Sequence, residues 1–213
     1  QMLDKAHSFK PTKWVFDLCD LSKPSFLHFF DSLSKIGKPI THLHFFNCTF
    51  SNDSSFPQIF QSIFFNDCFT SIESFIMDNC KSTQGEYLDA ILLHISQIFC
   101  CSWAMERKCF HHISVIDSGS EDCSGFLNQA LSLDVGLDRI NLNENCFLSP
   151  ISISTTKKIS ELSFLSLRNC RVTNKFLESM FLAMSNGCLI VHILDISSLR
   201  FLDDSGLSTF LEF

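Results

Sequence analysis

Cys100, Cys101, Cys109, His111 and His112 form the densest gathering of metal-ligating side chains in the chain. A structural zinc site needs four nitrogen or sulfur ligands, usually delivered as spaced pairs such as Cys-x-x-Cys. Adjacent Cys100 and Cys101 at a helix end cannot readily aim at one ion. Alternation along a strand sends His111 and His112 to opposite sides. The cluster reads as buried thiols plus one outward histidine. His42 and His44 share a face beside Asp17 or Asp78, where the base of a thiol hydrolase would sit, but no Cys is expected to point there. The seven glycines include no G-x-x-x-x-G-K arrangement, so no phosphate loop is expected. Asn47-Cys48-Thr49 and Asn52-Asp53-Ser54 match the glycan-acceptor triplet and read as chance matches. No catalytic residue, metal site or cofactor is expected.

The elements that would position these residues come from a phrase that recurs seven times: apolar-x-x-apolar-x-apolar-x-x-Cys (or a stand-in)-x-apolar. Its fourth-position residues are Trp14, Leu43, Phe75, Ile113, Ile140, Leu165 and Leu194, spaced 25 to 38 residues apart. The apolar-x-apolar step predicts a short strand alternating in and out. Three residues beyond it, Cys48, Cys80, Cys170 or Asn145 marks where the chain turns off the strand. A thiol or amide there can bond backbone groups that the turn leaves unpaired. Between phrases the period becomes helical. Ser22 and Pro24 precede the stripe Phe26, Leu27, Phe29, Phe30 and Leu33, as a cap and an early proline would. Further stripes run from Ile59 to Phe64, Leu88 to Phe99, Phe126 to Leu131 and Phe176 to Met184, the last closed by Asn186-Gly187. Residues 148–161 read as an irregular return.

On these phrases, over residues 11–201, the chain resembles the ribonuclease-inhibitor-type leucine-rich repeats. The resemblance implies an α/β solenoid, a horseshoe of about seven repeats with parallel strands on the concave face and helices on the convex face. It departs from the usual pattern by using Phe, 24 in all, where Leu is the rule. Leu194-Asp195-Ile196-Ser197 followed by Asp203-Asp204-Ser205-Gly206-Leu207 is similar to a phrase of CARMIL-like actin regulators. That similarity implies a role in actin-filament assembly, with membrane-binding and capping-protein-binding segments in parts not present here. The alternative that the same repeats imply is an enzyme regulator such as a GTPase activator, for which Arg168-Asn169 is the candidate contact.

Each unit would lend the concave face its third, fifth, seventh and eighth side chains. Val15, Phe46, Ile76 and Ile116 are expected as an apolar stripe there, and Asp17, Asp78, Asp117 and Glu144 as an acidic edge. With His44, Asn143 and Arg168 they make the candidate partner-binding surface, since apolar area with a polar rim suits a protein partner. The insertion holding Tyr87, Trp103 and Glu106-Arg107-Lys108 reads as a longer convex helix with an exposed loop.

A net charge of −7 argues against general nucleic-acid binding, and no apolar run is long enough to predict a membrane span. The eleven cysteines are odd in number and several recur at one phrase position, which points to free buried thiols in a reducing compartment rather than a disulfide scaffold. With no secretory signal at the start, the expected compartment is the cytoplasm. Residues 1–213 are expected to form one repeat domain, an excerpt of a longer array.

Overall fold

A strand that must bury alternate side chains needs a neighbour for its backbone and a layer for its apolar face. The computed structural model describes residues 13–23, 25–34, 40–50, 72–82, 111–132, 137–152 and 160–201. In chain order these hold β1 (Lys13–Asp17), α1 (Ser25–Ser34), β2 (His42–Phe46), β3 (Thr49–Phe50), β4 (Ser74–Asp78), β5 (Lys81–Ser82) and β6 (His112–Ile116). Next come α2 (Ser124–Ser132), β7 (Arg139–Asn141), β8 (Cys146–Phe147), β9 (Ser160–Ser166), β10 (Arg171–Val172), α3 (Asn174–Ser185), β11 (Leu189–Asp195) and β12 (Arg200–Phe201). The protein is α/β, built on a seven-stranded sheet in the order β1-β2-β4-β6-β7-β9-β11 with every pair parallel.

The strands join the sheet in the order in which they occur in the chain, and the phrase alignment is also the sheet register. Trp14 pairs with Leu43, Leu43 with Phe75, Phe75 with Ile113, Ile113 with Ile140, Ile140 with Leu165 and Leu165 with Leu194. Parallel strands need crossovers of a dozen residues or more. Those carrying the predicted stripes Ile59–Phe64 and Leu88–Phe99 lie outside the described residues, as do the insertion around Tyr87 and Trp103 and the Asp203–Leu207 phrase.

The inward side chains make one core. Leu43, Phe45, Phe75, Met77, Ile113, Val115, Ile140, Leu142, Leu165 and Leu167 are all buried, and Phe126, Leu127, Ala130 and Leu131 of α2 with Phe176, Leu177 and Met180 of α3 close over them. Phenylalanine takes the leucine positions by meeting ring to ring between strands and between strand and helix. The Phe16 and Phe45 rings lie 5.2 Å apart, Phe45 meets Phe75 edge-on at 6.2 Å, and Phe147 stacks on Phe176 at 4.8 Å. Such ring pairs add about 1 kcal/mol each beyond their buried area. Local signals set the helix ends, the Asn186-Gly187 stop where expected and two caps that the stripes did not show. Thr173 Oγ1 accepts from the Phe176 N–H at 3.3 Å, and Gly187, at φ 68°, closes α3 with its N–H on the Met184 carbonyl. Asp122 caps α2 through the Ser124 N–H at 2.9 Å and holds the Leu148 and Ser149 N–H groups of the following turn.

Burial fades at the last strand. Val191, Leu194, Ile196, Leu199 and Phe201 are only partly buried, although the matching residues of β9 and its turn are fully so. Among the described residues β11 pairs with β9 alone.

Candidate functional site

The sheet face turned away from the core carries three side-chain rows fixed by the register. The row at the strand starts is Lys13, His42, Ser74, His112, Arg139, Phe164 and Ile193. The middle row is Val15, His44, Ile76, Ser114, Asn141, Ser166 and Asp195. The row at the strand ends begins Asp17, Phe46, Asp78 and Ile116. The four candidate apolar residues therefore zigzag over two rows: Val15 and Ile76 flank His44, while Phe46 and Ile116 flank Asp78. Val15 is exposed; Phe46, Ile76 and Ile116 are half-buried.

His44 is itself buried, at 6% exposure, so it underlies this face rather than projecting from it. Its own-strand neighbours His42 and Phe46 each lie 6.0 Å away, ring to ring. Its Nε2 is 3.2 Å from Ser74 Oγ, which is 3.4 Å from His112 Nδ1. Burial first, then the charges of Lys13, His42 and His112, lowers the His44 pKa to about 4. Burial and the neighbouring Arg139 and His42 lower that of His112. Arg139 lies 5.0 Å over the Phe164 ring, a cation–π contact.

One residue past β1, β2, β4 and β6, and three past β7, β9 and β11, lies a row that periodicity alone did not reveal. Leu18, Asn47, Asn79, Asp117, Glu144, Asn169 and Ser198 all have φ between 46° and 62°. In this left-handed turn each N–H from Leu18 to Asn169 reaches a carbonyl of the next strand or turn, at 2.9 to 3.1 Å. Asn and Asp tolerate that conformation best, so Asn47, Asn79, Asp117 and Asn169 were the signal; Leu18 and Glu144 gave none. A side-chain ladder runs along it, Asn79 Nδ2 donating to Asn47 Oδ1 at 2.7 Å and Asn47 Nδ2 to Asp17 Oδ1 at 3.0 Å. Asp117 and Glu144 lie near enough to Asp78 for their charges to act on it. Burial, then Glu144 and Asp117, raise the Asp78 pKa from its ordinary value.

Toward the other end, Asn143 Oδ1 accepts from Ser166 Oγ at 2.6 Å and from the Arg168 N–H at 2.9 Å. Arg168 is exposed and lines, with Asn143, Glu144, Asn169 and Ser198, an open polar depression of about 450 Å³. The turn-slot thiols are occupied. Cys48 and Cys170 donate to the Phe46 and Leu142 carbonyls at 3.3 and 3.1 Å, and Cys80 to that of Asp78 at 3.5 Å. Burial pushes the Cys170 pKa up to about 12, and the hydrogen bond to Cys48 together with burial raises that of Cys80. These two thiols stay protonated and are poor nucleophiles, whereas the hydrogen bond with Cys80 lowers the pKa of Cys48. Among the described residues no group of three or more His, Cys, Asp or Glu is placed to hold a metal ion; Cys100, Cys101 and Cys109 lie outside them. Nor is any described helix long and apolar enough to cross a membrane. No protein-family model, curated protein or solved structure matches the chain.

Proposed function

We propose that the chain is a non-catalytic protein-interaction module of the ribonuclease-inhibitor-like leucine-rich repeat class, and that its partner lies across the outward sheet face. The observation carrying this reading is the make-up of that face. Exposed Val15 and half-buried Ile76 lie next to a basic strand-start row, and half-buried Phe46 and Ile116 alternate with Asp17 and Asp78 along the strand ends, with Asp117 and Glu144 in the turns beyond. An apolar centre with a charged rim is the usual anatomy of a protein interface. The in-register apolar phrases support a solenoid with this face concave. On this reading the module is cytoplasmic and serves actin-filament assembly, in keeping with the Leu194–Ser197 phrase, its membrane link supplied by other segments. The depression beside Arg168 and Asn169 favours a second reading, a GTPase regulator that inserts Arg168. Loss of stimulated GTP hydrolysis on Arg168→Ala would select it.

The test is capture of the native partner by the tagged chain. Phe46→Asp with Ile76→Asp is expected to lower capture at least about tenfold, in line with the loss of central interface anchors. Val15→Asp, at a site 49% exposed, should weaken it with no effect on folding. Capture unchanged in both variants, with circular dichroism intact, refutes the site.

A further inference from the structure

We propose that the strand-start row Lys13, His42, His112 and Arg139 is the subsite for a carboxylate-rich peptide segment of the partner, and that its hold tightens as the row takes up a proton. This rests on the reading of the outward face as a partner site and adds the chemistry of what docks there.

Four cationic or protonatable side chains lie in one register line over β1, β2, β6 and β7, with Ser74 of β4 between them. At about 4.8 Å per strand the line is about 19 Å long, the reach of about six extended residues. Lys13 and Arg139 are exposed, while His42 and His112 are half-buried at its centre. No described acid answers them. The charges acting on His44 are Lys13, His42 and His112, and those acting on His112 are Arg139 and His42. Glu73 and Asp138, which precede β4 and β7, are exposed, and neither forms an ion pair with the row among the described residues. The row is a set of like charges held together by the sheet register, and an incoming carboxylate relieves their repulsion.

The hydrogen bonds beneath the row are suited to one added proton. Ser74 has a single hydroxyl hydrogen and can accept from a second group. With His112 protonated, Nδ1–H donates to Ser74 Oγ, and Ser74 O–H donates to His44 Nε2. Every contact survives, and the buried His44 remains neutral. Binding of an anion favours the protonated His112, so by linkage protonation favours binding of the anion.

The acidic edge limits the ligand class. From Ser74 to Asp78 is four strand steps, about 13 Å, which exceeds the screening length of about 8 Å at physiological salt. The two rims act separately, so carboxylates dock at the strand starts while the opposite side of the same segment meets Asp78, Asp117 and Glu144. A nucleic acid or an anionic membrane would extend its charge over that acidic edge and be repelled. A short acidic run bordered by apolar and basic residues is not.

The probe is a fluorescein-labelled peptide of ten aspartates, followed by fluorescence anisotropy at physiological ionic strength, where the acidic edge is screened from the row. Binding at pH 6.0 is expected to be about tenfold tighter than at pH 8.0, the scale of one linked proton. His42→Asn with His112→Asn removes both protonatable groups of the row while leaving an amide to meet Ser74, and should bring the two affinities within about twofold. Arg139→Glu should abolish binding at both pH values, whereas a ten-lysine peptide should show no gain at pH 6.0. Equal affinity at the two pH values, or binding indifferent to Arg139→Glu, overturns the proposal. If the aspartate peptide fails while partner capture still depends on Phe46 and Ile76, the sheet-face site stands and this subsite falls. If the peptide binds through Arg139 while capture ignores Phe46 and Ile76, the row is an anion site and the sheet-face reading falls.

Discussion

Asn145 does with an amide what Cys48, Cys80 and Cys170 do with a thiol. Its Nδ2 lies 2.6 Å from the Val115 carbonyl, 3.0 Å from that of Leu142 and 3.1 Å from that of Asn143. Its Oδ1 accepts from the Ser118 N–H at 3.0 Å and from the Ser118 hydroxyl at 2.6 Å. The group is 4% exposed, so water cannot replace these partners. Asn145→Ala should destabilise the fold by about 3 kcal/mol, because buried carbonyls and an N–H would lose their partners. Asn145→Cys, which restores the residue used in four other turns, should cost about 1 kcal/mol, and urea denaturation midpoints measure both. Equal losses would show that the slot needs only volume. The shared position of Cys and Asn made the slot legible in the sequence, since each can donate to a turn. Ser118 was legible only as the stand-in at the same slot of the fourth phrase. That it pairs with Asn145, 27 residues on, depends on a strand-to-strand contact that spacing does not display.

Each strand of the seven-stranded sheet leads into the same left-handed turn, an element whose signature is backbone rather than hydrophobic pattern. Asn47, Asn79 and Asn169 suit it; Leu18, at φ 53° and 79% exposed, does not. A branched apolar side chain in that region costs about 1 kcal/mol more than Asn, whose short polar group bonds locally. Leu18 also hides no core surface that would offset this. Leu18→Asn should therefore stabilise the protein by about 1 kcal/mol, read as a higher urea midpoint. Asn79→Val should do the reverse, and also break the Asn79–Asn47–Asp17 ladder. A neutral or destabilising Leu18→Asn would mean that this leucine packs on residues beyond those described. The strands and α1, α2 and α3 were legible because a two-residue and a 3.6-residue period separate cleanly. The short strands β3, β5, β8, β10 and β12 were not, as each spans two residues and leaves no period to read.

On the scale of the whole molecule, an alignment made along the chain reappears as an alignment across the sheet. The pairing of Leu43 with Phe75 and of Ile140 with Leu165 follows because slipping a strand by one residue would turn its buried side chains outward. The outward face was less legible. Which side chains face away follows from alternation, but their depth depends on neighbours, and His44 between Val15 and Ile76 is buried where alternation alone leaves it free. That depth has a consequence for the stability of the entire sheet. His44 stays neutral in the fold down to about pH 4, against an ordinary value of 6.5. Below 6.5 the unfolded chain takes up a proton that the native sheet refuses, so stability is full above that pH and is lost as the pH falls toward 4. Between pH 7.5 and pH 5.0 the loss from this one side chain is at most about 2 kcal/mol. His112, lowered for the same reason, adds in the same sense, while the raised Asp78 opposes them. His44→Gln, whose amide can still meet Ser74 but takes no proton, should flatten that part of the decline. Urea midpoints for both proteins at pH 7.5 and pH 5.0 decide the matter: parallel declines would mean that His44 is protonated in the native sheet and that its burial carries no penalty.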